Sequence, residues 1–322
     1  MQSGSTSTFS SHPAPASIAP RANMLVYVLL LFLFVIWSNS FHAIAYFRRT
    51  LSVGAMDLLT LRYGLVVPFC LVYCLLCWRK FGRLVRQDGW RILIVGLLSV
   101  PGYNLTLNWG QARVPPATAS LLIATNPIFT YLLAMFLLDE RPRWAKIIGL
   151  TVSFLGVYGL LRVQHGQFGG GYVVYALVVL IAPACWALAT VIGKPLTARH
   201  DPLLFTYAAT GVGSLPSFIA LAAGAGETHQ VLASMNATGW IALLHLSILC
   251  TILGFAIWFW ALRHLPASSV AAFVFLNPPL TLLFGLYWST EVFNWTIVVF
   301  GLLILGGVAL SSEIFSQLRR RR

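Results

Sequence analysis

A chain of 322 residues that is 58% hydrophobic and only 9% charged falls far below the roughly 25% charged residues of soluble domains, which excludes an ordinary soluble enzyme. Lipid is its main solvent, in keeping with a mean hydropathy of +0.82. The net charge of +13 would suggest nucleic acid in a soluble protein, but here the basic residues lie between apolar runs, where they act as topology signals, so no nucleic-acid partner is expected.

Residues 1–23 are rich in Ser, Ala, Pro and Thr, show no apolar period, and read as a disordered cytoplasmic tail. The run from Met24 to Tyr46 carries a small-x-small triplet at Ala43 to Ala45, but it is long for the apolar part of a cleaved signal. It is read as a true helix. Runs of about 20 residues suit helices that cross a core about 30 Å thick. Ten are predicted, over 24–46, 56–78, 92–111, 116–138, 144–161, 172–193, 203–223, 239–261, 267–288 and 294–313. The stretches 79–91 and 224–238 are expected to be loops. Cys70, Cys74 and Cys77 have an iron–sulfur spacing, yet the same spacing puts them on one helix face in an uncharged span. No metal is expected.

An internal repeat organises these runs. Pro115 to Val157 overlays Pro266 to Val308 at a constant shift of 151 residues, with nine identities. They include Pro115/Pro266, Asn126-Pro127/Asn277-Pro278, Glu140/Glu291 and Trp144/Trp295. Residue types of this kind are more informative than chance matches among Leu, Val and Ala. Upstream, Trp37 can be laid on Trp186. The predicted fold is an all-α integral membrane protein of two five-helix repeats, 24–161 and 172–313, joined by a linker at 162–171 and followed by a basic cytoplasmic tail at 314–322. Of the twenty Lys and Arg residues outside spans, sixteen fall on one side of this topology. The positive-inside rule then puts both termini in the cytoplasm of a cell-membrane protein. Five spans per half, an odd number, make the second repeat inverted relative to the first, a recurring plan of secondary transporters.

At this point the chain resembles the drug/metabolite transporter superfamily, specifically the ten-helix EamA-type transporters. The resemblance is carried by Ala112 to Leu122 leading to Asn126-Pro127, by Leu138-Asp139-Glu140, and by the helix of Gly149 and Gly156. The second copy runs from Ala261 through Asn277-Pro278 and Glu291 to Gly307, and Trp37 to Phe41 and Leu61 to Tyr63 resemble the family's first two helices. The resemblance implies alternating access around a cavity lined by helices 1, 3, 4, 6, 8 and 9, with helices 5 and 10 peripheral. One departure is Asn where many members carry an acid before the Pro of helices 4 and 9.

Candidate binding residues follow from what a membrane tolerates. Arg62 is the one Lys or Arg well inside a span. A central charge costs about 2.5–3.5 kcal/mol on insertion scales, so it either faces a partner or wet cavity, or snorkels to the surface. Asn126 and Asn277 either cap the kinks made by Pro127 and Pro278, which would serve as hinges, or face a solute. Trp37 and Trp186 either pack or line the cavity. Asn39 and Ser38 on helix 1, and Tyr103, Asn104 and Asn108 on helix 3, are further candidates. No acid lies at mid-membrane, so proton coupling would fall to His42 or His245. The Gly166 to Gly171 stretch lacks the strand and the Lys-Ser/Thr of a phosphate loop, and neither a cofactor, catalysis nor an ATP-hydrolysing partner is expected. The favoured reading is a secondary transporter exporting small carboxylate-bearing metabolites such as amino acids. The alternatives are an exporter of drug-like or nucleoside-type solutes, and a multispan sensor or scaffold that moves no solute.

Overall fold

The computed structural model describes residues 20–164, 170–287 and 295–311. No strand occurs among them. Eight helices are long and apolar enough to cross a membrane by length and composition: α1 (Met24–Thr50), α2 (Ala55–Leu76), α3 (Trp78–Gly110), α4 (Pro116–Leu137), α6 (Val174–Arg199), α7 (Pro202–Ala222), α8 (Ala237–His264) and α9 (Ala267–Tyr287). Two further helices, α5 (Trp144–Gln164) and α10 (Trp295–Ser311), carry shorter apolar stretches.

Three expectations change. The expected tail overlaps the first helix, which begins at Pro20, while residues 1–19 and the basic tail from 312 lie outside the described residues. The stretch 79–91 is helical and continuous with α3. Its charge density had read as a loop, but Leu84 and Asp88 are buried on one face of it. The expected loop 224–238 contains a short helix, Thr228–Ser234. Of the linker, 165–169 lie outside the described residues, as does Glu291.

Helices pack in pairs that match across the two halves. The pairs α1–α9 and α4–α6 correspond under the repeat, as do α1–α8 and α3–α6, while α2–α7, α4–α9 and α5–α10 each map onto themselves. The α5–α10 seam is closed by small residues, which let helix backbones approach in lipid. A Cβ on Gly307 would stand 2.6 Å from the Gly149 carbonyl oxygen and 2.7 Å from Ser153 N, so the backbones touch there.

Irregularities in four of the helices surround one point. In α4 the helix stops at Ile123 and restarts at Asn126. In α9 a 3-10 turn at Phe273–Leu276 precedes the restart at Asn277. Each restart places a proline in the first turn, where the missing N–H has no helical partner to lose. The other two carry π-helical turns, Leu98–Gly102 in α3 and His245–Leu253 in α8. The repeat shift lays the first of these turns inside the second.

Candidate functional site

The irregular turns free polar backbone groups inside the bundle, and buried side chains satisfy them. Asn104 donates Nδ2–H to Ser99 O at 3.0 Å and Val100 O at 3.1 Å in the π-helical turn of α3. Trp37 donates Nε1–H to Cys250 O at 2.9 Å in that of α8. Arg62 reaches the same turn, donating Nε–H to Leu246 O at 3.1 Å and Thr251 Oγ1 at 3.0 Å. Its Nη1 donates to Asn104 Oδ1 at 2.9 Å. The guanidinium is thereby strung between α3 and α8.

Arg62 is 5% exposed, so it points into the bundle and does not snorkel. Every hydrogen-bond partner it has among the described residues is neutral, and the Tyr63 ring, 5.0 Å from its Cζ, is a π face rather than a counter-ion. A buried cation without a carboxylate is costly to maintain. Nη2 has no protein partner among the described residues.

Around Arg62 lies a cavity of about 40 Å³. It is lined by Trp37, Ser40, Phe41 and Ile44 of α1, by Tyr103, Asn104 and Leu107 of α3, and by Ile123 and Asn126 of α4. Trp186 of α6, Cys250 and Phe255 of α8, and Val274 and Asn277 of α9 complete it. That volume admits water-sized guests and is far below the ~300 Å³ or more of a drug-sized ligand pocket. One wall is aromatic. Trp37 and Trp186 meet edge to face with centroids 5.4 Å apart, and Trp258 stands 5.5 and 5.6 Å from them. Trp186 Nε1 is buried without a partner among the described residues.

The two asparagines sit at equivalent places. Asn126 donates Nδ2–H to Pro183 O at 2.9 Å, and its Oδ1 accepts from Thr130 at 3.3 Å. Asn277 Oδ1 stands 3.1 Å from Ser38 Oγ, which donates to Phe34 O at 2.6 Å. The offset that lays Trp37 on Trp186 also lays Phe34 on Pro183. Both amides therefore reach the same carbonyl of the repeat, Asn126 directly and Asn277 through a hydroxyl. Each does so at a helix restart beside its proline.

Of the residues singled out from sequence, Trp37, Arg62, Tyr103, Asn104, Asn126, Trp186 and Asn277 come together at this cavity. Ser38 and the two prolines lie just behind it. Asn108 is fully buried away from it, its amide without a partner among the described residues. Asn39 faces elsewhere. With His42, Tyr46, Arg49 and His245 it lines a cleft of about 620 Å³ between α1, α4 and α8. There His42 Nε2 contacts Thr281 O at 2.8 Å. Trp258, Phe255 and Cys250 were missed, because they lie in the apolar run of α8 and no identity in the repeat marks them. No group of three His, Cys, Asp or Glu residues suited to a metal occurs among the described residues.

At the opposite end from that cleft the bundle is tied shut. Glu140, just past α4, accepts the Ala267 N–H at 2.8 Å and contacts Ser268 Oγ, capping the start of α9. Lys146, 4% exposed, donates to Ser268 Oγ at 2.7 Å and lies 3.5 Å from Glu140 Oε2. Lys194 completes the cluster by donating to Leu262 O at 2.8 Å and Leu265 O at 2.6 Å at the end of α8.

The model of the EamA-like transporter family matches this chain twice, at residues 24–162 and 173–313. A relative from Streptantibioticus cattleyicolor, described as a probable terminal-alkyne amino-acid exporter, is 34% identical over 72% of this chain and 75% of its own length. An uncharacterized transporter of Archaeoglobus fulgidus is 26% identical over 88% of this chain and 97% of its own. A solved crystal structure, 18% identical, superposes with a TM-score of 0.70 over 93% of this chain and 99% of that one, which shows a shared fold. Two matches that together cover both halves, and a relative of that identity, lead to one conclusion: this multispan membrane protein belongs to the EamA-like transporter family.

Proposed function

We propose that the chain is a secondary exporter of small carboxylate-bearing metabolites, amino acids among them, working by alternating access. In this reading ten helices cross the membrane as two inverted five-helix repeats, with both termini in the cytoplasm. The single observation that carries the solute class is Arg62, a buried guanidinium at the cavity wall with neutral partners and an uncommitted Nη2. A carboxylate supplies the missing charge through a strong, charge-assisted hydrogen bond. The solute's apolar part lies against Trp37, Trp186 and Trp258, while Trp186 Nε1–H and the amides of Asn126 and Asn277 orient it.

The cavity's small volume supports a conformational cycle, since a metabolite enters only after the walls part. The restarts at Pro127 and Pro278 sit where α4 and α9 would bend, and the matched helix pairs support the inverted repeat. Two relatives lend weight to the solute class. One is the exporter named above. The other, from Salmonella typhimurium, is described as a probable amino-acid metabolite efflux pump and is 28% identical over 51% of this chain. Counterflow in liposomes holding only the purified chain tests the reading. Exchange of labelled amino acids without ATP or a partner is expected. Movement of lipophilic cations with every carboxylate ignored would overturn it.

A further inference from the structure

At about 1.5 Å per residue, the 33 residues of α3 span about 50 Å, well beyond the ~30 Å hydrocarbon core of a bilayer. The surplus is its leading part. Asp88 has non-helical angles, φ −136° and ψ 24°, and divides the helix into a lead-in, residues 78–88, and a membrane-length remainder. The kink is held by an ion pair and a hydrogen bond, since Asp88 accepts from Arg91 at 2.9 Å and lies 2.9 Å from His200 Nε2. The lead-in is amphipathic. Leu84 faces the protein, Trp78 and Val85 are exposed apolar side chains, and Arg79, Lys80, Arg83 and Arg86 are exposed on the remaining face. Such a helix lies in the headgroup layer of a membrane.

Between this lead-in and the turn joining α6 to α7 is a groove of about 310 Å³, whose cations are Lys80, Arg83 and Arg199. The acid beside them, Asp201, is already engaged, because its Oδ1 caps α7 through the N–H groups of Leu203 and Leu204. Asp88 is likewise taken up by Arg91 and His200. Lys80, Arg83 and Arg199 have no carboxylate partner among the described residues. Three cations therefore face a single carboxylate, Asp201, in a groove at headgroup depth. We propose that this groove holds the phosphate of an anionic glycerophospholipid.

Native mass spectrometry of the full chain in detergent, titrated with dioleoyl phosphatidylglycerol or dioleoyl phosphatidylcholine, tests this. One phosphatidylglycerol should stay bound under activation that strips phosphatidylcholine. Lys80→Gln/Arg83→Gln/Arg199→Gln should weaken that adduct at least about tenfold, since each cation near a membrane surface is worth roughly fivefold in affinity. Arg83→Gln alone should give a smaller loss, which keeps the test available if the triple variant folds poorly. Arg141→Gln/Arg263→Gln, which removes exposed charge elsewhere, should leave the adduct intact. Equal retention of the two lipids, or an undiminished adduct in the groove variants, would overturn the proposal. Displacement of the lipid by inorganic phosphate would show a general anion site and overturn it as well.

Discussion

The two ends of the central cavity are built differently. At one, Glu140, Lys146 and Ser268 form a buried cluster that stitches the end of α4 and the start of α5 to the first turn of α9. At the other, Asn39, His42, Tyr46, Arg49 and His245 line a wide cleft. Both ends are polar, but only the first commits its charges to one another. Separating Glu140 from Ala267 N–H and from Lys146 exposes a helix terminus and breaks a buried ion pair together. Widening the cleft breaks hydrogen bonds, such as those between His42 Nε2 and Thr281 O and between Tyr46 Oη and Asn236 Oδ1, but no ion pair among the described residues. The difference teaches which end is held: the bundle is latched at the Glu140 end and carries a cleft at the His245 end.

The largest effect is expected where the latch is broken. Glu140→Gln keeps the shape but removes the charge that Lys146 faces, and should destabilise the purified protein by about 3 kcal/mol, read as a lower Tm. Lys146→Met in the same chain should restore part of the loss. An unchanged Tm would mean that the two ends are energetically alike.

Accessibility sharpens the contrast. With the five native cysteines replaced, Thr238→Cys at the cleft should react with an impermeant maleimide on intact cells. Ala267→Cys behind the latch should react at least about tenfold more slowly in purified protein, since it depends on local opening. Adding Glu140→Gln should close that gap. Labelling of Thr238→Cys only after permeabilisation would reverse the proposed orientation.

The smallest effect belongs to the cleft end. His245 Nε2 has no hydrogen-bond partner among the described residues, so His245→Gln should change stability by about 1 kcal/mol or less. A loss as large as that of Glu140→Gln would make the cleft a second latch and undo the comparison.

Much of the cavity was legible because the chain repeats. Asn126 and Asn277, Pro127 and Pro278, and Trp37 and Trp186 stand out as matched pairs of informative residues, and Arg62 stands out because lipid makes an isolated cation costly. What stayed hidden depends on helix phase and on tertiary contact. Asn39 follows Ser38 by one residue, a turn of about 100°, which carries it from the cavity side of α1 to the cleft. Trp258 and Phe255 are ordinary members of an apolar run until α8 brings them against Trp186. The π-helical turn of α8, which supplies the carbonyls that anchor Trp37 and Arg62, contains no proline to mark it, whereas that of α3 carries Pro101. Glu140 read as a loop acid, since nothing local shows that α9 begins against it.

The claim on which the rest depends is that a solute carboxylate completes the charge of Arg62. Counterflow of an amino acid and of its amide, measured side by side in liposomes for the wild type and Arg62→Gln, tests it most directly. The wild type should favour the carboxylate. The variant, folded as judged by gel filtration, should lose about 2 kcal/mol of that preference, roughly 30-fold, while still moving the amide. An equal fall for both solutes, or an intact preference without Arg62, would contradict the account.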